Sequence, residues 1–142
     1  MPTLIPTLSF GRHERLSKKK EIDTLFTSGK SFSGFLIRCV YIAKSNPAQP
    51  GLRVALSVPK KKIKQAVNRN RIKRLMREAW RLNKNNLARK CKQKQLSVDA
   101  MLIYTGSINP SFTLIQSKIV LILQRLSTIT QKGHAPFDNS ST

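Results

Sequence analysis

The chain has 142 residues, enough for one domain and short for two, and its 39% hydrophobic residues support one modest core. Its 27 Lys and Arg stand against six Asp and Glu, and a formal charge of +21 calls for a polyanionic partner, with nucleic acid ahead of an anionic membrane. The six acids (Glu14, Glu21, Asp23, Glu78, Asp99 and Asp138) are scattered, which argues against a protein-borne two-metal centre, and no apolar run reaches the ~18 to 20 residues of a membrane span.

Residues 1 to 13 carry Pro2, Pro6 and Gly11 without sustained periodicity and read as a flexible arm. They lack the basic region and unbroken apolar stretch of a secretory signal, so a cytoplasmic protein is expected. A single domain is expected from 14 to 132, followed by a disordered polar tail over 133 to 142. His13 and His134 fall in these outer segments, a poor basis for a general acid and base pair.

Ser17 is expected to cap a short helix in which Ile22, Leu25 and Phe26 share a face and which Gly29 stops. A lone Phe on such a face is ordinarily core. Residues 35 to 43 are rich in β-branched and aromatic side chains and read as a strand, with Gly34 separating it from a shorter extended piece around Phe32. Cys39 is a small core residue on that strand. The turn-rich stretch 46 to 51 leads into a second long strand over 52 to 58, which Pro59 ends.

From about Ala66 to Lys84 the period becomes helical. Ile72, Leu75, Met76, Ala79, Trp80 and Leu82 fall within an arc of roughly 160°, so Trp80 is expected in the core. The complementary arc holds Arg69, Arg71, Lys73, Arg74, Arg77 and Arg81, with Arg69, Lys73, Arg77 and Arg81 on one ridge at i, i+4 spacing. Residues 85 to 95 read as a basic linker, in which Cys91 is a surface thiol; no C-x-x-C pair indicates zinc or a disulfide. Residues 98 to 104 form a further strand, 106 to 110 a turn, and a last helix runs from Pro110 or Ser111 to about Gln131. Its apolar face (Leu114, Ile115, Ile119, Ile122, Leu123, Leu126, Ile129) packs on the sheet, and its polar interruptions disqualify it as a membrane span. The result is an α/β (α+β) two-layer sandwich.

Between Lys60 and Lys94 lie fifteen basic residues and one acid, a net +14 on a quarter of the chain. A solvated helix face ordinarily mixes signs, and this one holds a single acid. Arg offers phosphate two parallel donors, Lys a point charge, and Asn68 and Asn70 add amides that can reach sugars or base edges. Asn68 is equally suited to capping. Lys60, Lys61 and Lys62 extend the surface into the preceding turn.

Ala66-Val67-Asn68-Arg69-Asn70-Arg71-Ile72-Lys73-Arg74-Leu75-Met76-Arg77, preceded by a strand and a lysine-rich turn, resembles the signature A-V-x-R-N-R-x-K-R-x-x-R of the protein subunit of bacterial ribonuclease P. The resemblance extends over about residues 14 to 131. It implies the order α-β-β-β-α-β-α of a ribosomal S5 domain 2-like fold with a left-handed β-α-β crossover, an exception to the usual hand. It implies an accessory subunit of an endoribonuclease that removes the 5′ leader of precursor tRNA, with catalysis and most Mg²⁺ held by the RNA subunit and no organic cofactor, catalytic residue or protein-bound metal. The partners implied are the ribonuclease P RNA and the 5′ leader of precursor tRNA, with no membrane and no protein partner required. Lys60, Lys61, Lys62, Asn68, Arg69, Asn70, Arg71, Lys73, Arg74, Arg77 and Arg81 would face RNA, and Phe26, Arg38 and Val40 would line a leader cleft. Two positions depart from the family pattern: Lys64 stands where many members have Gly, and Ile22 where the first helix commonly shows a second aromatic. A structural RNA-binding protein with the same basic surface is the competing reading. An amphipathic membrane binder is a third, and it would need Trp80 to leave the core.

Overall fold

The computed structural model describes residues 10–106 and 109–131. The arm up to residue 9, Ser107 and Ile108 of the expected turn, and the tail with His134 lie outside the described residues. Strands β1 (Lys30–Ser33), β2 (Ile37–Ser45), β3 (Gly51–Ser57) and β4 (Leu96–Tyr104) form one sheet in the order β1-β2-β4-β3. β2 pairs antiparallel with β1 and β4, whereas β3 lies parallel to β4 and therefore needs a crossover. That crossover contains α2 (Ala66–Asn83) and α3 (Asn85–Gln93); α1 (Lys19–Ser28) precedes the sheet and α4 (Phe112–Gln131) follows it.

The expected order holds, with α3 inserted where a basic linker is expected. Leu87 and Cys91, at i and i+4, are its buried residues, so the thiol expected at the surface is in the core. Burial raises its pKa to about 11. Cys39, 0% exposed, is pushed up to about 12 for the same reason, and neither is a ready nucleophile.

The middle of β2 is covered on both faces, which is why it reads as a nearly unbroken apolar run. Ile37, Cys39, Tyr41 and Ala43 join Leu52, Val54, Val98, Ala100, Leu102 and Tyr104 under α2, α3 and α4. Val40, Ile42, Ala55 and Met101 form a smaller cluster with Leu16 and Leu25 on the α1 side. Ile22 packs at its margin.

Several local expectations change. Ser17 does not cap α1; Lys18 holds the N-cap position and makes no side-chain cap bond. Gly29 ends α1 at φ −78°, so no left-handed turn requires it. A Cβ there would collide with the Leu25 carbonyl oxygen and come within 3.0 Å of that of Tyr41. Residues 12 to 14, near the end of the expected arm, form a short 3-10 turn, after which the Leu16 N–H donates to the Val54 carbonyl on the edge strand β3 at 2.9 Å. Ser111 caps α4, its Oγ accepting from the Leu114 N–H at 3.1 Å. Contrary to expectation, α4 is long and apolar enough by length and composition to cross a membrane. Its Ile115, Ile119, Ile122, Leu123 and Leu126 are nevertheless committed to the main core.

Candidate nucleic-acid interface

Ile72, Met76, Ala79 and Trp80 are each 0% exposed, fixing which side of α2 faces inward. Leu82 is 37% exposed because it sits at the margin of the apolar arc. The charged arc is thereby turned outward, with Asn70, Arg74 and Arg77 exposed and Lys73 half-buried. Among the described residues Lys73, Arg74 and Arg77 make no hydrogen bond or ion pair, so their donors are available to a ligand.

The other members of the stripe have work inside the protein. Arg69 Nη1 donates to the carbonyls of Ile63 and Lys64, at 2.9 and 2.7 Å. It clamps the lysine-rich turn onto the start of α2, and buried Ile63 anchors the same turn from below. The Lys64 backbone lies outside the left-handed region, so its conformation does not require a Gly. Lys60, Lys61 and Lys62 remain exposed on this turn. Arg71 Nη1 donates to the Pro110 carbonyl at 3.1 Å and ties α2 to the entry of α4. Asn68 donates to Gln65 Oε1 at 3.1 Å. Arg81 is bidentate to Glu78, at 3.1 and 2.5 Å, and this hydrogen bond lowers the Glu78 pKa. The one acid of the basic stretch is thus neutralised within its own helix.

On the opposite side of the sheet, Phe26 is 57% exposed and is not core. Arg38 is exposed on the α1 side of β2, its Nη2 3.4 Å from Ser31 Oγ. Val40 lies in the small cluster at 4% exposure, so it supports this surface from beneath and cannot be one of its open walls.

α1 is fixed over that face by an arginine that local sequence patterns do not single out. Arg53 on β3 donates from Nε and Nη2 to Asp99 on β4, at 3.0 and 2.8 Å, and from Nη1 to Glu21 on α1 at 3.0 Å. The hydrogen bonds to Asp99 are the main reason its pKa is raised. Arg53 and Asp99 are 46 positions apart, and only the parallel register of β3 and β4 makes them neighbours. Arg53→Met should lower the unfolding free energy by about 1–2 kcal/mol, since these groups are partly solvated. Urea unfolding measures this, and an unchanged midpoint would show that α1 is held by packing alone.

The family model for ribonuclease P matches residues 10–127. The ribonuclease P protein component of Porphyromonas gingivalis is 34% identical over 122 residues, which cover 86% of this chain and 89% of that protein. That of Chlorobium phaeobacteroides is also 34% identical, over 134 residues covering 86% and 92%. Among solved structures, the Staphylococcus aureus RNase P protein superposes with a TM-score of 0.61 at 23% identity, covering 80% of this chain and 94% of that one. The Thermotoga maritima RNase P protein does so with a TM-score of 0.60 at 23% identity, covering 79% and 96%. At that identity the two structures speak for the fold.

Proposed function

The chain belongs to the ribonuclease P protein family, and from that premise we propose how this protein subunit serves the ribonucleoprotein that processes the 5′ end of tRNA. The outer face of α2, with Lys73, Arg74, Arg77 and Asn70, binds the ribonuclease P RNA. Arg69 and Arg71 hold the flanking turns so that Lys60, Lys61 and Lys62 extend the same surface. The observation that carries this reading is a helix that buries Ile72, Met76, Ala79 and Trp80 and turns Lys73, Arg74 and Arg77, without protein partners, to the other side.

Phe26 and Arg38 serve the single-stranded leader of precursor tRNA on the α1 side of the sheet. An exposed ring provides a stacking face and the guanidinium a phosphate contact, a pairing suited to unpaired RNA. Val40 keeps that surface in place from beneath.

Hydrolysis resides in the RNA, with Mg²⁺ bound mainly there. Four of the six acids are engaged by cations of the chain: Glu14 by Lys84, Glu21 and Asp99 by Arg53, and Glu78 by Arg81. Among the described residues no three His, Cys, Asp or Glu stand together as metal ligands. Screening of RNA–RNA repulsion by the basic surface is the protein's contribution to catalysis. The same reading places the protein in the cytoplasm with its RNAs.

Reconstitution with the ribonuclease P RNA tests this reading. At low Mg²⁺ the chain should raise cleavage of precursor tRNA by roughly tenfold or more over RNA alone, because added cations replace counterions that the RNAs otherwise require. No gain at any Mg²⁺ concentration would overturn it.

A further inference from the structure

A groove of about 290 Å³ opens between the β1–β2 hairpin and α4, on the sheet face opposite Phe26 and Arg38. Its lining includes Phe32, Phe35, Lys118, Leu121 and Arg125. Phe35 is 69% and Leu121 56% exposed, an apolar surface that the fold leaves uncovered. Each ring carries a cation: Lys118 Nζ lies 5.1 Å from the Phe35 centroid, and the Arg125 guanidinium 4.6 Å from that of Phe32. Among the described residues no carboxylate lines the groove, which continues past Tyr41 and Thr128.

The hairpin holds Phe35 in the open by construction. The Gly34 N–H donates to the Ile37 carbonyl at 2.9 Å, and the Thr105 N–H to the Leu36 carbonyl at 2.7 Å. Between them Leu36 adopts φ +72°, a left-handed conformation that a leucine keeps only where its surroundings enforce it. Its side chain is buried against Gly106, where an added Cβ would fall 2.6 Å from Leu36 Cδ2. A rigidly presented ring beside paired cations offers both a stacking face and phosphate contacts.

We propose that this groove binds an unpaired stretch of the ribonuclease P RNA, with a base stacked on Phe35 beside Leu121 and phosphates met by Lys118 and Arg125. The inference rests on the reading of α2 as the face for that RNA. The groove and α2 lie on the same side of the sheet, whereas the surface assigned to the leader lies on the other. A second copy of this chain is the poorer occupant, because two cationic grooves on chains of charge +21 would repel.

Both native cysteines are buried, so a single added cysteine can carry an iron chelate that cuts nearby RNA. Thr128→Cys, exposed on the continuation of the groove, reports on the proposal, and Val67→Cys, 77% exposed at the start of α2, reports on the α2 surface. Each full-length protein is bound to ribonuclease P RNA without substrate. The Thr128 tether should cut an unpaired segment separate from the Val67 cuts. Combining Phe35→Ala with Lys118→Ala should weaken binding about tenfold and erase only the Thr128 cuts. Cuts from Val67 alone would overturn this proposal and leave the α2 reading standing, while silence from both tethers would overturn both. Thr128 cuts confined to duplex RNA, or appearing only in added precursor tRNA, would also overturn it. So would an RNA-free dimer that Phe35→Ala converts to monomer.

Discussion

Replacing Lys73, Arg74 and Arg77 together by alanine should weaken binding of the ribonuclease P RNA by roughly a hundredfold near 0.1 M salt, with little change in the unfolding midpoint. Each phosphate contact releases about 0.7 to 0.9 of a counterion, so a surface neutralising roughly six phosphates gives a log–log salt slope near −4 to −5. Removing three contacts should make that slope shallower by about 2 to 3. The helix should survive, since alanine is the best helix former and these side chains support no other part of the described structure. Titrations at several salt concentrations give affinity and slope together. An unchanged slope would mean that RNA approaches a different face. Arg69→Ala and Arg71→Ala are less clean probes, because the first frees two carbonyls of the lysine-rich turn and the second the Pro110 carbonyl at the entry of α4.

Lys84→Ala should cost about 3 kcal/mol of stability, lowering the thermal midpoint by roughly 10 °C. The Lys84 side chain is 4% and that of Glu14 15% exposed, and Nζ donates to Glu14 Oε2 at 2.7 Å and to Asn85 Oδ1 at 3.3 Å. Glu14 also accepts from the Gly11 N–H at 2.9 Å. Removing the lysine strands a carboxylate in a poorly hydrated place and releases the short turn that leads Leu16 onto β3. Replacing both partners by apolar residues, Glu14→Leu with Lys84→Met, should recover most of the loss, because no charge is then left unpaired.

The contribution of this pair depends on pH in a defined direction. Burial by itself would raise the Glu14 pKa, but the hydrogen bonds from Lys84 and Gly11, together with the charges of Lys84 and His13, hold it below the ordinary 4.5. A carboxyl with a depressed folded pKa contributes fully above its unfolded value and loses that contribution as pH falls through the folded one. The stability gap between the native chain and Lys84→Ala should therefore be constant above about pH 5.5 and narrow below 4.5. A gap that persists at pH 2 would show that lost packing of the lysine stem, and not the ion pair, accounts for the effect.

Features visible in the chain alone are those with a local period or a local composition. The amphipathic α2 is one, because its buried face and charged face recur every 3.6 residues whatever packs against it. The same holds for the apolar runs of β2 and β4 and for the breaks at Gly34 and Pro59. α3 was within reach of the same reasoning, through Leu87 and Cys91 at i and i+4, but the surrounding lysines and asparagines masked a short apolar stripe.

What the sequence determined by itself is a family, a helix with one apolar and one cationic face, and a charge of +21 with only six scattered acids. The tertiary structure alone decided which cations remain available. Arg69, Arg71 and Arg81 are drawn into the protein's own bonds, and Lys73, Arg74 and Arg77 are not. It also decided that Phe26 is open and Val40 covered, that Arg53 reaches Asp99 and Lys84 reaches Glu14, and that Phe35 stands beside Lys118. The bonds of Arg81 and Arg69 are local, to partners within six positions. The contacts of Arg53, Arg71, Lys84 and Phe35 join residues tens of positions apart, so strand register and helix docking set them, and no periodicity within a single segment encodes them.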